Sequence, residues 1–346
     1  MKKHRRFLLF ILTALILIAI TWGTVVYNRI FGPNVGTPGK GEFSLYIPTG
    51  SDYKDVLDSL VSNDLLKNID SFEWVAKKKG YPEKVKSGHY IISDNMSNNS
   101  LVNMLRAGLQ VPVNVVISTA RTPQDLAGRI AGQIEPDSAA LISLLNDETF
   151  LEKYKFNRYT VLGMFIPNTY EFWWNTSAED FIKRMYSEYS DFWNGDRLKK
   201  AEALKMAPDE IITLASIIVT ESNKEDEYAT IAGLYINRLN KGMKLQADPT
   251  VIYALGDFNR RRVLKNDTRV DSPYNTYLYS GLPPGPITLP SIKAIDAVLN
   301  YEKHNYIYFC AKDDFSGYHV FARTLEQHNR NARLYQIALN RQNILK

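Results

Sequence analysis

Residues 208–222, PDEIITLASIIVTES, predict the central helix of the fold. The proline suits a first helical position, and the acidic pair behind it favours the positive end of a helix dipole. Leu214, Ile217 and Ile218 share one face of such a helix. Glu221 stands seven, four and three residues beyond them, so it belongs to the same face. We therefore predict that its carboxylate points towards the interior or the wall of a cleft.

The surroundings of Glu221 have a catalytic and a structural interpretation. Desolvation on an apolar face raises the pKa of a carboxyl group, and a carboxyl that stays protonated near neutral pH suits general acid catalysis. Alternatively, the helix ends by Thr220, and Glu221 is a solvated residue beside the helix end. The residue pattern by itself leaves both interpretations open.

Two more helices are predicted downstream of Glu221. Residues 226–242 carry an apolar stripe that includes Tyr235 and that a glycine ends. Asp248 directly precedes a proline, which predicts a helix start with Asp248 as its N-cap more than as a catalytic acid. No comparable structural role explains the presence of Gln246. Its side-chain amide suits the binding of hydroxyl or acetamido groups.

The stretch 271–291, DSPYNTYLYSGLPPGPITLPS, predicts an irregular loop that is rich in proline and tyrosine. A loop of this rigidity and aromatic content is typical of a segment that shapes a site. Tyr274, Asn275 and Tyr277 offer hydroxyls, an amide and flat ring faces, which makes them candidate binding residues. The alternative for each is packing of the loop against the core.

The chain lacks the sequence motifs of several common enzyme classes. The sequence contains no HExxH, GxSxG, Walker or GxGxxG pattern. Its 5 histidines do not cluster at metal-ligand spacing, and Cys310, the only cysteine, cannot form an internal disulfide. We therefore predict that no metal and no organic cofactor is needed. His319, on a predicted strand among aromatic residues, is interpreted as structural.

The N-terminus predicts a membrane anchor. Residues 7–27 form an uncharged, largely apolar run of 21 residues, and about 20 such residues span a bilayer as a helix. Residues 1–6 carry four Lys and Arg, so the positive-inside tendency puts this tail in the cytoplasm and the rest of the chain outside. A cleaved signal peptide is the alternative, but the run is long for one and lacks a small-x-small cleavage site.

Charge outside this tail is nearly balanced. The chain has a net charge of +5, and without the four tail cations 38 basic residues face 37 acidic ones. No evident basic patch remains, which argues against a nucleic acid partner.

The order of predicted elements indicates an α+β protein with several parts. Residues 28–43 are rich in glycine and predict a linker. Residues 44–130 contain three strand–loop–helix repeats and predict a small α+β module that suits binding better than catalysis. Residues 131–346 predict a larger mixed domain, which contains the central helix and the hairpin YIYFCAKDDFSGYHVFAR.

Five segments follow one another along the second half of the chain: LASIIVTESN, IAGLYINRLNKGMKLQADPTVIYALG, DSPYNTYLYSGLPPGPI, YIYFCA and GYHVFARTLEQHN. Together they closely resemble the endolytic murein transglycosylases of the YceG-like family. The resemblance covers about residues 44–346 and is strongest from 205 to 330. QADPTVIYALG and YNTY…GLPPGPI are long and unusual enough to make it specific.

The resemblance implies a lyase of the cell inner membrane with a single-pass anchor. Its LysM-like module and its lysozyme-like transglycosylase domain would face the periplasm. The enzyme would cut nascent glycan strands of peptidoglycan internally and without water at the MurNAc–GlcNAc bond, leaving 1,6-anhydroMurNAc ends and terminating strand elongation. Its implied partners are glycan strands, the membrane and peptidoglycan synthases.

The resemblance also assigns site residues. Its catalytic glutamate corresponds to Glu221, and one acid suffices because the C6 hydroxyl of the sugar replaces the water that other glycosidases activate. Many members carry a second glutamate shortly before it, where this chain has Val219. The substrate-binding candidates are Gln246, Asp248, Tyr274, Asn275 and Tyr277.

Two other functions remain open at this point. A glycan-binding assembly protein of the cell-wall machinery, with weak or no catalysis, would not need Glu221 in an aromatic, amide-lined cleft. A muramidase that uses water would need a second carboxylate in the same cleft, from Asp248 or Asp271.

Overall fold

The computed structural model describes residues 2–260 and 262–341, and these fall into two compact units. The first unit contains the residues up to Asn114 together with Gln133–Glu135 and Glu171–Thr176. The second unit contains the rest of the described chain. Helices and short strands are mixed in the chain, so the predicted α+β class is confirmed.

A long helix, α1, spans Lys2–Phe31 at the N-terminus. Within the described residues it is the one helix that is long and apolar enough to cross a membrane, and its apolar stretch is not buried in protein. The predicted N-terminal apolar helix is therefore present, and it is compatible with membrane anchoring.

Two strands and three helices form the folded part of the first unit, and their core is apolar. The strands β1 (Glu42–Ile47) and β2 (Gly88–Ser93) pair antiparallel. The helices are α2 (Tyr53–Ser62), α3 (Ile69–Lys78) and α4 (Asn98–Ala107). A side chain just before each helix accepts a backbone N–H of its first turn, which explains where each begins (Asp52, Asn68, Ser97).

Within the described residues, four strands and ten α-helices follow along the chain. The strands are β3 (Val113–Ile117), β4 (Asn168–Phe172), β5 (Tyr308–Ala311) and β6 (His319–Ala322). The helices are α5 (Pro123–Ala131), α6 (Ser138–Leu145), α7 (Glu148–Glu152), α8 (Ala178–Phe192), α9 (Gly195–Leu204), α10 (Pro208–Glu221), α11 (Tyr228–Asn240), α12 (Asp248–Leu255), α13 (Ile292–Leu299) and α14 (Leu325–Arg341). β5 and β6 pair antiparallel as the predicted hairpin.

The strand β4 lies in a stretch that is rich in aromatic residues. It forms a two-stranded sheet with β3. Tyr170 and Phe172 are buried while their neighbours are exposed, which is the alternation of a strand. The aromatic residues on both sides of β4 obscure this period in the sequence.

The helix α10 forms the centre of the second unit. Its residues from Ile211 to Ile218 are all buried, and Ile231 of α11 and Ile295 of α13 belong to the same apolar cluster. The helix extends through Glu221, so the interpretation in which it ends by Thr220 is wrong. Glu221 is thus the last residue of a helix that is buried over most of its length.

The domain boundary predicted at residue 130 stays a prediction. Of the three predicted strand–helix repeats, the first two belong to the first compact unit, whereas α5, the helix of the third, belongs to the second. The LysM-like and lysozyme-like descriptions likewise stay predictions.

Candidate active site

Glu221, the last residue of α10, is partly buried in the wall of a cleft. Its Oε1 accepts a hydrogen bond of 2.8 Å from the hydroxyl of Tyr235, which is buried on α11. The two residues meet because α10 and α11 pack together and both side chains face the space between them. Tyr235 belongs to the apolar stripe predicted for α11, and its ring packs in the core. Its hydroxyl nevertheless reaches the carboxylate of Glu221, so the stripe includes one polar contact.

The environment of Glu221 raises the pKa of its carboxyl from 4.5 to about 7. Burial is the largest cause, because it penalises the charged form. The hydrogen bond from Tyr235 and the charge of Arg238 lower the pKa, and the negative charge of Asp248 raises it. The protonated and ionised forms are therefore both populated near neutral pH, which is what a group that gives and takes a proton requires.

Arg238, on α11, is a buried cation of the cleft wall that the sequence analysis did not single out. Its Nε donates to the carbonyl of Ile307 and its Nη1 to that of Leu245, each at 2.6 Å. Burial lowers the pKa of the guanidinium from its usual value. Within the described chain, no carboxylate lies within ion-pair distance of the Arg238 guanidinium. Its positive charge therefore acts on the groups of the cleft, such as the carboxyl of Glu221, over a longer distance. In the sequence, Arg238 follows Tyr235 by three residues, which puts both on the same helix face. This spacing could have indicated that Arg238 belongs to the site.

Three of the five predicted binding residues line this cleft, whose volume is about 380 Å³. Gln246 and Asp248 are exposed on its edge, and Tyr277 lies beside them. The hydroxyl of Tyr277 donates to Oδ1 of Asp248 at 2.6 Å. Gln246 has a φ of 52°, in the left-handed region, and its N–H donates to the carbonyl of Thr276 at 3.1 Å.

The N-cap predicted at Asp248 is wrong. Ala247 precedes α12 in extended conformation, and Asp248 is the first helical residue. Its side chain accepts from Tyr277 and caps no backbone N–H of the helix. The carboxylate is therefore free to face the cleft, near the positive end of the helix dipole.

Tyr274 and Asn275 lie behind the cleft and not in its wall. Asn275 is fully buried, and its Nδ2 donates to the carbonyls of Thr268 and Val270 at 3.1 and 2.7 Å. Its Oδ1 accepts the N–H of Tyr277 at 3.0 Å, so this amide shapes the loop that carries Tyr277. The Tyr274 ring stands 4.5 Å from that of Tyr253, centroid to centroid. Contact of either residue with substrate stays a prediction.

A buried polar cluster fixes the chain just after Glu221. Glu227 accepts a hydrogen bond of 3.0 Å from the hydroxyl of Ser222, one of 2.7 Å from the backbone N–H of His319, and it lies 2.8 Å from His319 Nδ1. These contacts connect the C-terminus of α10 to β6. His319 thus has a structural contact, as interpreted from the sequence. Its partner Glu227 is not indicated by any local sequence pattern.

No group of three His, Cys, Asp or Glu side chains in the described residues has the arrangement of a metal site. The absence of a cofactor requirement stays a prediction. Asp271, one candidate for a second catalytic carboxylate, accepts a hydrogen bond of 2.6 Å from the hydroxyl of Tyr279 and is not among the cleft residues. Asp248 is therefore the carboxylate that accompanies Glu221 in the cleft.

Comparison with known proteins agrees with the arrangement of these elements. The sequence profile of the YceG-like family matches residues 45–334. The chain belongs to the YceG-like family. Over 337 residues it is 31% identical to the endolytic murein transglycosylase of Bacillus subtilis, covering 91% of each protein.

Two further relatives of this YceG-like chain are informative. The endolytic murein transglycosylase of Streptococcus pneumoniae is 30% identical over 319 residues, which cover 82% of this chain and 57% of that protein. The crystal structure of a YceG-like protein from Listeria monocytogenes aligns with a TM-score of 0.57 at 31% identity. That alignment covers 84% of this chain and 99% of the other.

Proposed function

We propose that this protein is an endolytic murein transglycosylase in which Glu221 is the catalytic acid and base. The observation that carries the proposal is the carboxyl of Glu221, whose pKa of about 7 is set inside a cleft lined by hydroxyl, amide and aromatic groups. Relatives that share 30–31% of its sequence bear this name. A protein that only assembles other proteins would not need a cleft carboxyl whose pKa lies near neutral pH.

The reaction needs one proton donor and no water. Glu221 gives its proton to the glycosidic oxygen as the bond from that oxygen to C1 of MurNAc breaks. The C6 hydroxyl of the same MurNAc then bonds to C1, and the carboxylate of Glu221 takes the hydroxyl proton. The products are a 1,6-anhydroMurNAc end and a free GlcNAc hydroxyl, and Glu221 regains its starting state.

The neighbours of Glu221 have distinct roles in this scheme. Tyr235 donates to Oε1, so the other carboxyl oxygen carries the mobile proton towards the cleft. Arg238 stabilises the carboxylate that forms halfway through the reaction. Gln246, Asp248 and Tyr277 contact the sugars, and the charge of Asp248 stabilises the positive charge that develops at C1. Tyr274 and Asn275 support these contacts from behind.

The helix α1 is proposed as the anchor that holds this activity at the membrane. Residues 7–27 span the cell inner membrane once, residues 1–6 lie in the cytoplasm, and the rest faces the periplasm. A LysM-like module at 44–130 and a lysozyme-like catalytic domain at 131–346 follow the linker. In this position the enzyme meets nascent strands beside peptidoglycan synthases, and cleavage there terminates strand elongation.

Mass spectrometry of products tests the proposal. The full chain in detergent is incubated with uncrosslinked glycan strands beside Glu221→Gln and the exposed control Glu225→Gln. We expect internal fragments with anhydro ends from the wild type and from the control. The Glu221→Gln variant should lose at least about 10²–10⁴-fold in rate. Near-normal cleavage by Glu221→Gln would rule out the mechanism.

A muramidase that uses water is the second candidate, because Asp248 provides another carboxylate in the same cleft. Its products would carry reducing ends heavier by one water than the anhydro ends. Such products, lost again in Asp248→Asn, would replace the transglycosylase by the hydrolase. Binding without cleavage by the wild type would instead favour the assembly protein.

A further inference from the structure

A second, smaller cavity of about 90 Å³ lies next to the cleft. Thr220 and Pro249 line it, and each is the chain neighbour of a cleft residue, Glu221 in the first case and Asp248 in the second. The two cavities thus adjoin the same two backbone segments. The small cavity is thus lined by residues at the end of α10 and the start of α12, next to those that carry Glu221 and Asp248.

Most of its wall is apolar, formed by Ile252, Tyr253, Phe258 and Ile287, and its one charged group is Arg121. The cavity is too narrow for a strand of sugars and has the character of a pocket for a short branch. Apolar walls with one fixed polar group are typical of sites that select a small substituent.

The guanidinium of Arg121 is held in place by Phe258. Its Nη1 donates to the Phe258 carbonyl at 3.2 Å, and its Cζ lies 5.1 Å from the centroid of the Phe258 ring. Within the described residues no carboxylate pairs with it. Asp125, the nearest acid along the chain, accepts from the backbone N–H of Arg121 and forms an ion pair with Arg129. A guanidinium has five N–H donors, so most of them remain for a ligand.

The backbone at Arg121 is fixed on both sides. The carbonyl of Ala120 accepts the N–H of Leu289 at 2.8 Å and the hydroxyl of Thr288 at 3.2 Å. Thr122 caps α5 by accepting the N–H of Asp125. Arg121 is thus preorganised between a helix start and the proline-rich loop, which limits the entropy lost when a ligand binds.

We propose that Arg121 and this cavity form a subsite for a carboxylate on the lactyl-linked branch of the glycan. This inference rests on the proposed function, because only a peptidoglycan strand brings such a branch to Glu221. The guanidinium binds the carboxylate through paired N–H donors, and the apolar wall takes the methyl groups of the branch. The carboxylate belongs to the peptide, because the lactyl carboxyl of an intact strand is consumed in the amide bond to that peptide. The subsite therefore favours glycan that carries peptides over stripped glycan.

Cleavage kinetics of the full chain in detergent test the subsite. The variants are Arg121→Gln, Arg121→Lys and the control Arg129→Gln, which removes an exposed cation from α5. Their thermal unfolding midpoints are compared first. The substrates are uncrosslinked strands with intact peptides and the same strands with all carboxylates blocked as methylamides. On intact strands we expect Arg121→Gln to lower kcat/KM about 10- to 100-fold, mainly through KM.

The other arms give matching expectations. Arg121→Lys keeps part of the rate and Arg129→Gln keeps all of it. On blocked strands the wild type falls to the level of Arg121→Gln. Strands stripped by an amidase have lost the peptide and expose the lactyl carboxyl instead, so the loss caused by Arg121→Gln should vanish on them. A persisting loss on stripped strands would contradict the peptide carboxylate as the ligand. Equal rates for Arg121→Gln and Arg129→Gln on intact strands, or an unchanged loss on blocked strands, would overturn the proposal.

Binding separates failure of the subsite from failure of the proposed function. Fluorescence anisotropy of labelled intact strands is measured with Glu221→Gln and with the double variant that adds Arg121→Gln. A weaker affinity of the double variant, with no difference on blocked strands, supports the subsite even where no cleavage is found. Equal affinities of the two proteins for intact strands contradict it.

Discussion

At the scale of single residues, the titration of Glu221 results from influences that oppose one another. Burial raises the pKa of its carboxyl to about 7, against the hydrogen bond from Tyr235 and the charge of Arg238. Any change in one of these neighbours therefore moves the pH range in which the residue carries its proton.

The pH profile of cleavage follows from this pKa. Since Glu221 must be protonated to start the reaction, kcat/KM should fall about tenfold per pH unit above pH 7. Tyr235→Phe removes the hydrogen bond that favours the carboxylate, so the fall should begin at higher pH, with a lower maximum rate. Tyr228→Phe, seven residues earlier on α11, is the control and should leave the profile unchanged. The same pH profile of kcat/KM in Tyr235→Phe and in the wild type would contradict the role of this hydrogen bond.

Stability should depend on pH through the same group. A carboxyl whose pKa is raised on folding binds more protons in the folded state, so its contribution is complete below pH 4.5 and is lost as the pH rises through 7. Glu221→Gln should therefore raise the free energy of unfolding by at most about 3 kcal/mol near pH 8. The gain should shrink to almost nothing near pH 4. Urea unfolding at both pH values measures it, and an equal effect at both would disprove the raised pKa.

At the scale of elements, the position of Glu221 depends on how the end of α10 is held. The helix ends at Glu221, and the cluster of Ser222, Glu227 and His319 connects the following residues to β6. A partly exposed helix end usually frays. Here a buried carboxylate with three polar contacts keeps the last turn in one place.

Replacing Glu227 tests this connection. Glu227→Gln leaves at least one donor of the cluster without a strong acceptor, which should cost about 1–3 kcal/mol of unfolding free energy. Cleavage should decline with it, because the last turn of α10 loses its support. Glu225→Gln is the matched control: its ion pair with Lys293 is exposed and contributes at most about 1 kcal/mol. Equal losses in the two variants would show that the cluster has no special role.

At the scale of the whole molecule, the C-terminal end of the apolar helix α1 contacts the folded part of the first unit. The carbonyl of Arg29 accepts Nδ2 of Asn98 at 2.9 Å and the hydroxyl of Ser71 at 3.2 Å. The end of α1 thus belongs to the fold, whereas its apolar stretch makes no buried contacts. Such a surface is compatible with membrane anchoring.

Fractionation of cells tests the anchor. The full chain should stay with membranes after an alkaline carbonate wash, because about 20 apolar residues partition strongly into a bilayer. A variant that begins at Asn28 keeps Arg29 and should appear in the soluble fraction with an unchanged circular dichroism spectrum in the remaining fold. Release of the full chain by carbonate would contradict a spanning helix.

Local sequence patterns were enough to predict the α+β class, the apolar N-terminal helix and the β5–β6 hairpin. Each of these depends on local periodicity and on the chemistry of residues next to one another in the chain. The direction of Glu221 was predictable for the same reason, since its spacing from Leu214 and Ile218 fixes one helix face. The family was recognisable because long, unusual segments occur in a fixed order.

The identity of the groups around Glu221 depends on tertiary packing. Tyr235 contacts Glu221, and Arg238 lines the same cleft, because α10 and α11 pack together. No local sequence pattern encodes these positions. Asn275 looked suited to binding, yet its amide is used by the backbone of its own loop. Arg121 lies a hundred residues from Glu221 in sequence, and the fold brings it into a cavity that Thr220 also lines. Contacts between distant segments depend on the packing of the whole core, which the pattern along one segment does not contain.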